Sequence, residues 1–168
     1  MIWEVSHRAD ARSRRLADRH YNRQHIGAVQ FVPPGRCLVL LTANADALWV
    51  TSWPFAEFVH HAWPGAWMNS LFRREPESPT LASDAIRQAV AATRSVFGEP
   101  PPLGMVTFVD AAKIRHKRDP GRCYLRAGFR HVGFTAKGLW AFQMLPESMP
   151  APERALDRQA SLFAIGGE

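Results

Sequence analysis

The sequence predicts a mixed α/β domain in which helices flank a central sheet and a β-hairpin closes the C-terminal side. Three observations carry that prediction. Short runs rich in β-branched and aromatic residues alternate with stretches of helical spacing. Breaks such as Pro33-Pro34-Gly35 and Gly98-Glu-Pro-Pro-Pro-Leu-Gly104 separate them. The 168 residues are 46% apolar, the usual length of one domain and enough to bury a core.

Taken in order, Ile2-Trp-Glu-Val5 reads as an extended start, followed by a helix over 9–21 with Leu16 and Ala17 inward. Arg8, Arg12, Arg14, Arg15 and Arg19 make the outer face of that helix positive. Residues 22–36 form a loop long enough to suggest a functional segment. Strands over 37–42 and 48–53 pair across Ala43-Asn-Ala-Asp-Ala47, and a third strand covers 66–72. Between them, 54–65 carries Phe55, Phe58, Val59, His60, His61 and Trp63, which predicts a packed irregular segment. Leu81, Ile86, Val90 and Phe97 follow helical spacing over 81–97. Met105-Val-Thr-Phe-Val109 reads as a central strand ending at Asp110. A further, short helix starts at Pro120 and stops at Gly128, positions that suit those residues. Residues 130–135 and 139–145 pair across Ala136-Lys-Gly138 as the closing hairpin. Prolines and charges dominate from Pro146, so the expected organisation is one domain over 1–145 and a mobile tail over 146–168.

Composition narrows the function classes. No uninterrupted apolar run reaches the roughly 18 residues of a membrane span, and Met1-Ile2-Trp3-Glu4 lacks the layout of a secretory signal. A cytoplasmic protein without a membrane partner is expected. Cys37 and Cys123 stand alone, which argues against a disulfide framework or a zinc knuckle and predicts two buried thiols. Twenty-one basic residues against fifteen acidic ones give a net charge of +6, which suits a polyanionic partner.

The order of elements, with Cys123-Tyr-Leu-Arg-Ala-Gly-Phe129 resembling a Tyr-x-x-x-Gly-Phe helix end, is similar to that of the GNAT acyltransferase superfamily. The resemblance implies a GNAT-like mixed sheet with two splayed parallel strands, and acetyl-CoA or a related acyl-CoA lying between them. The Arg/Gln-x-x-Gly-x-Gly/Ala loop that cradles the CoA pyrophosphate in that family is replaced here by Leu71-Phe-Arg-Arg-Glu-Pro-Glu-Ser-Pro-Thr-Leu-Ala-Ser-Asp84. Arg73 and Arg74, with the amides near Ser83, are the expected substitute for holding an anion.

A narrower resemblance is to the Mom family, GNAT-like phage proteins that convert adenine in DNA to a carbamoylmethyl form and so block restriction. His20-Tyr21 followed by Arg23 resembles its early His-Tyr-Ser-x-Arg element. Arg73, Ser83 and Asp110 fall where that family has an arginine, a serine and an aspartate. Gly121-Arg-Cys-Tyr124 with Ala127, leading to Val132-Gly133, resembles its Gly-Thr-Ile-Tyr-Gln-Ala segment. Gly128-Phe129 departs from an Asn-Trp-like pair, and a basic insertion precedes Gly121. The implied activity is transfer of an acyl-derived group to a base amine of DNA, adenine first, with His20, Tyr21, Ser83, Asp110 and Tyr124 as catalytic candidates.

Each candidate also has a plain structural reading. His20 suits the C-terminal end of a helix dipole, or it takes a proton from an incoming amine, while Tyr21 stacks on a base or donates to a carbonyl. Asp110 starts a loop and caps the next turn, or it accepts the hydrogen of a weakly nucleophilic amine at a strand's carboxyl end. Tyr124 packs under the closing hairpin, or it serves as an acid. Ser83 is an N-cap or a cofactor contact. The run Lys113, Arg115, Lys117, Arg118, Arg122, Arg126 and Arg130, with His116 and His131 interspersed, is a solvated face or a set of phosphate contacts. Some of Trp49, Trp53, Trp63, Trp67 and Trp140 supply a stacking platform while the others are core. His60-His61 lacks a third ligand at suitable spacing, so no metal is expected. Gln159-Ala-Ser-Leu-Phe163 resembles peptides that enter the bacterial sliding clamp, or it folds back on the domain. Two rivals stand beside the leading function: a conventional GNAT N-acetyltransferase acting on a small amine or protein lysine, and a DNA-binding module without catalysis.

Overall fold

A computed structural model describes residues 1–114 and 119–157. Seven strands form one mixed sheet in the order β1-β2-β3-β4-β5-β7-β6. β1 (Trp3–Ser6), β2 (Arg36–Thr42), β3 (Ala47–Trp53) and β4 (Trp67–Arg74) pair antiparallel in succession. β5 (Met105–Val109) lies parallel to β4 and antiparallel to β7 (Trp140–Met144), which pairs with β6 (Arg130–Phe134) at the far edge. The chain is therefore mixed α/β, with helices on both faces of the sheet.

The 3.6-residue spacing of Ile86, Ala89, Val90 and Phe97 puts one side of α2 (Ala82–Phe97) onto Trp3, Leu40, Trp49, Trp67 and Met105. α3 (Arg122–Ala127) joins the same layer through Tyr124 and Ala127, against Phe142 and Met144. On the opposite face, α1 (Ala11–Asp18) lays Leu16 and Ala17 over Val39, Leu41, Leu48, Val50 and Leu71, with Phe31 and Val32 completing the cluster.

α1 is shorter than the helix expected over 9–21. Asp10 caps its start by accepting the Arg12 amide at 2.8 Å. At the other end Asp18 turns to Arg23, Nε to Oδ1 at 2.7 Å, and to the Gly27 amide at 3.1 Å, which draws the chain out of the helix. Arg23 also donates to the carbonyls of Ala28 and Gln30, so residues 22–35 are an ordered loop. α3 begins at Arg122 instead of Pro120, because Gly121 takes a left-handed conformation, φ 76°, as the N-cap. A Cβ there would stand 2.1 Å from the Phe142 ring, so only glycine fits this approach.

Two further expectations need correction. Cys37 and Cys123 are both half-buried instead of fully buried. Between residues 146 and 157 the chain does not leave the domain. Met149 sits in the main core, the Glu153 amide donates to Ala91 at 3.1 Å, and the Leu156 amide donates to Trp3 at 2.7 Å beside β1. Buried methionine and paired amides tie 146–157 down where proline content had suggested mobility. Residues 158–168 lie outside the described residues. No described helix is long and apolar enough to cross a membrane.

Candidate active site

β4 and β5 pair at only three positions, Trp67, Met68 and Asn69 against Met105, Val106 and Thr107. β4 then runs on to Arg74 and β5 to Val109, so the sheet opens as a wedge toward their carboxyl ends. Open α/β sheets hold ligands at such places. A bulge shapes the β4 wall. Its register against β3 changes between Val50 and Thr51, leaving Ser70 as an extra residue. The pleat reverses there: Asn69 faces the α2–α3 layer, Leu71 the α1 layer, and Phe72 the α2–α3 layer again, beside Trp49 and Tyr124.

Asn69 holds the wedge together. Its Nδ2 donates to the carbonyls of Val50 at 3.1 Å and Leu71 at 2.9 Å, pairing backbone groups around the bulge. Its Oδ1 accepts the Tyr124 hydroxyl at 2.8 Å and the Thr107 hydroxyl at 3.1 Å, which links β4, β5 and α3. Tyr124 is buried, with its ring stacked on Phe142 and edge-on to Phe129. Burial first, then the nearby Cys123, pushes its phenol well above the ordinary tyrosine value, with Thr107 pulling the other way. Tyr124 therefore keeps its proton near neutrality. Asn69 and Thr107 were missed in the sequence, although a lone Asn in an apolar strand run is itself a signal, because buried amides must find partners.

The rim comes from the end of α1 and the end of β5. His20 and Tyr21 follow the helix as a stacked pair, ring centroids 4.5 Å apart. The His20 Nδ1 accepts the Asn22 amide at 3.2 Å, which places the proton of the neutral ring on Nε2. Burial raises the Tyr21 phenol; the Asp110 amide opposes this, while the Asp110 carboxylate and Cys123 add to it. Tyr21 thus stands beside both the rim carboxylate and α3. Asp110 Oδ1 accepts the amides of Ala112 at 3.1 Å and Lys113 at 3.3 Å, and Lys113 Nζ lies 3.9 Å from Oδ2. The turn-capping reading of Asp110 is thus satisfied through Oδ1. The carboxylate also keeps 21% of its side chain exposed, in the company of Tyr21. Tyr21 links the group: it stacks on His20, meets the Asp110 amide and interacts with Tyr124, whose hydroxyl is held by Asn69 of β4.

Arg73, Arg74 and Ser83 do a different job. Arg73 donates to Glu75 at 3.1 Å and to the Arg19 carbonyl at 3.3 Å, while Arg19 pairs with Glu75 at 3.3 Å, clamping the end of α1 to β4. Arg74 gathers the carbonyls of Thr80 at 2.7 Å, Glu75 at 3.1 Å and Ser78 at 3.1 Å. Ser83 lies in the first turn of α2, whose N-cap is Leu81 without a side-chain bond. A CoA pyrophosphate does not fit this connection. Residues 75–81 contain no glycine, two prolines without N–H groups, and the carboxylates of Glu75 and Glu77. Their carbonyls, not their amides, converge on the cation.

Of the basic run, Lys113 pairs with Asp110, exposed Arg122 lies 3.6 Å from Asp119, and Arg126 and Arg130 face solvent. Arg115, His116, Lys117 and Arg118 fall outside the described residues, as does Gln159-Ala-Ser-Leu-Phe163. Trp49 and Trp67 are fully buried core, whereas Trp53, Trp63 and Trp140 are half-buried. Among the described residues, no three His, Cys, Asp or Glu side chains group as metal ligands. Comparison with known protein families, curated proteins and solved structures returns no match.

Proposed function

We propose that this protein is a transferase of GNAT architecture, of the Mom type, that attaches an acyl-derived group to a base amine of DNA, adenine first, and so shields the DNA from restriction. One observation carries the reading: the parallel β4–β5 pair parts after three residues, with Tyr124 held by Asn69 on β4 and Asp110 directly after β5 in the company of Tyr21. In attack on the acyl carbon of a thioester-class donor, the C–N bond forms, the C–S bond breaks and the departing thiolate takes a proton from the medium. The lone pair of an exocyclic amine is delocalised into the base, so this attack needs a group that accepts the amine proton. Asp110 supplies it through Oδ2, since Oδ1 is occupied by two amides. Tyr21 keeps its proton and donates to a carbonyl oxygen or base edge above it. Tyr124 is held by Asn69, a positioned neutral phenol at the floor of the wedge. The base must be unstacked to reach this depth. Lys113 and Arg122 supply positive charge for phosphate contacts that set a strand in place, and the sequence carries Arg115, Lys117 and Arg118 between them.

The test is mass analysis of nucleosides from DNA of cells expressing the protein. A new modified base is expected, lost in Asp110→Asn. An unchanged base profile alongside folded, soluble protein overturns the proposal.

A further inference from the structure

A second group of rings lies beside the wedge. The segment after β3 returns across the sheet and lays His61 and Trp63 on Phe108 of β5. Centroids are 5.0 Å apart for His61 and Phe108, 5.8 Å for Trp63 and Phe108, and 6.1 Å for His61 and Trp63. All three side chains are half-buried. Phe108 lies in β5 and Asp110 directly follows that strand, so the rings stand two residues along the chain from the carboxylate. Burial lowers the His61 imidazole below its ordinary value, which keeps it neutral at pH 7. Its Nδ1 accepts the Trp63 amide at 3.1 Å, so the ring proton resides on Nε2, a fixed donor within an aromatic surface. The same segment exposes Phe55 and Phe58, 71% and 70% accessible.

A partner that suits this surface is flat, aromatic and negatively charged. The rings give it a face to stack on, the Nε2–H reads an acceptor on its edge, and Lys113 follows Asp110 at the rim of a chain with net charge +6. Stacked bases on a phosphate backbone combine these properties. We propose that His61, Trp63 and Phe108 form a stacking platform for an unpaired base of a nucleic-acid strand and determine how that base approaches Asp110. This assignment rests on the proposed function above and adds the residues that receive the acceptor.

The experiment measures anisotropy of two fluorescein-labelled single strands of equal length, one of deoxyadenosine and one abasic, with the full-length protein. The wild type should prefer the base-bearing strand by about tenfold. Trp63→Ala, and separately His61→Ala in case the first variant melts early, should remove that preference while affinity for the abasic strand stays unchanged. Trp63→Phe should restore most of it. Equal binding of both strands by the wild type, or a preference that survives both alanine variants, overturns the platform and leaves the proposed function standing. Binding of neither strand overturns both. A preference for phosphatidylglycerol vesicles over either strand, lost in Phe55→Ala, overturns the platform in favour of a membrane surface.

Discussion

Asn69 makes four hydrogen bonds, and each one closes a different part of the wedge. Three of its partners lie 19, 38 and 55 residues away along the chain, so local sequence does not announce them. That is why Tyr124 was legible as a candidate while its holder was not. A motif can be read in sequence, but a network exists only once the strands are side by side. Two substitutions separate the contributions. Tyr124→Phe keeps the packing against Phe142 and loses one buried hydrogen bond, so a stability loss of about 1 kcal/mol is expected in urea unfolding. Asn69→Leu removes four side-chain hydrogen bonds at once; the Thr107 hydroxyl keeps the Asn69 backbone carbonyl and the Val50 carbonyl keeps Ser70, while the Tyr124 hydroxyl loses its acceptor, and about 3 kcal/mol is expected by the same measurement. Equal losses for the two would show that Asn69 is not the hub.

Elements were legible where periodicity was long and less so where a single side chain ended them. α2 and the five strands from β1 to β5 stand close to their expected positions because their apolar runs are buried and bounded by turn residues. α1 stopped early because Asp18 found partners in the following loop, an effect of tertiary contact. Its start carries a pH signature. Burial alone would raise the Asp10 carboxyl, but the Arg12 side chain and amide and the Ser6 hydroxyl outweigh it and hold the group at about 2, below the ordinary 3.8. A lowered folded value means stability that is complete above pH 3.8 and fades as pH falls toward 2. Asp10→Ala should therefore cost about 1 kcal/mol at pH 7. The gap between the variant and the parent should close through that acid window in thermal melts; a constant gap would refute the assignment.

The segment after β7 gives the second prediction at this scale. Proline and charge disguised it as a tail, yet Arg94 donates to the Pro150 carbonyl at 2.7 Å and Met149 is 7% exposed. A chain ending at Leu145 exposes the core around Met149 and frees those backbone partners. It should lose about 3 kcal/mol, read as a lower midpoint in urea. An unchanged midpoint would return the segment to the status of a tail.

At the scale of the whole molecule, the sheet divides its labour. β2 and β3 are paired along most of their length and largely buried on both faces, while the β4–β5 junction is paired at three positions only and carries the linked polar groups of Asn69, Thr107 and Tyr124. Net charge and the arginine-rich outer face of α1 were legible from composition alone. No composition or periodicity shows the opening, because it is an absence of pairing between strands that each read as ordinary in sequence; only the resemblance to a family with splayed parallel strands implied one.

The extra residue at Ser70 works like a half-step in a woven pattern. Every side chain downstream owes its side of the fabric to it: Phe72 beneath Tyr124, Arg73 toward Arg19, Arg74 toward the loop before α2. Replacing Ser70 with alanine should be nearly silent, whereas deleting it transposes the rest of the strand and sends two guanidinium groups to the wrong sides. Far-ultraviolet circular dichroism of the two variants would show the contrast, a folded spectrum for the first and a collapsed one for the second. Insertions and deletions at this point are therefore far more damaging to the chain than substitutions, and relatives that keep the wedge should keep the count of residues in this strand.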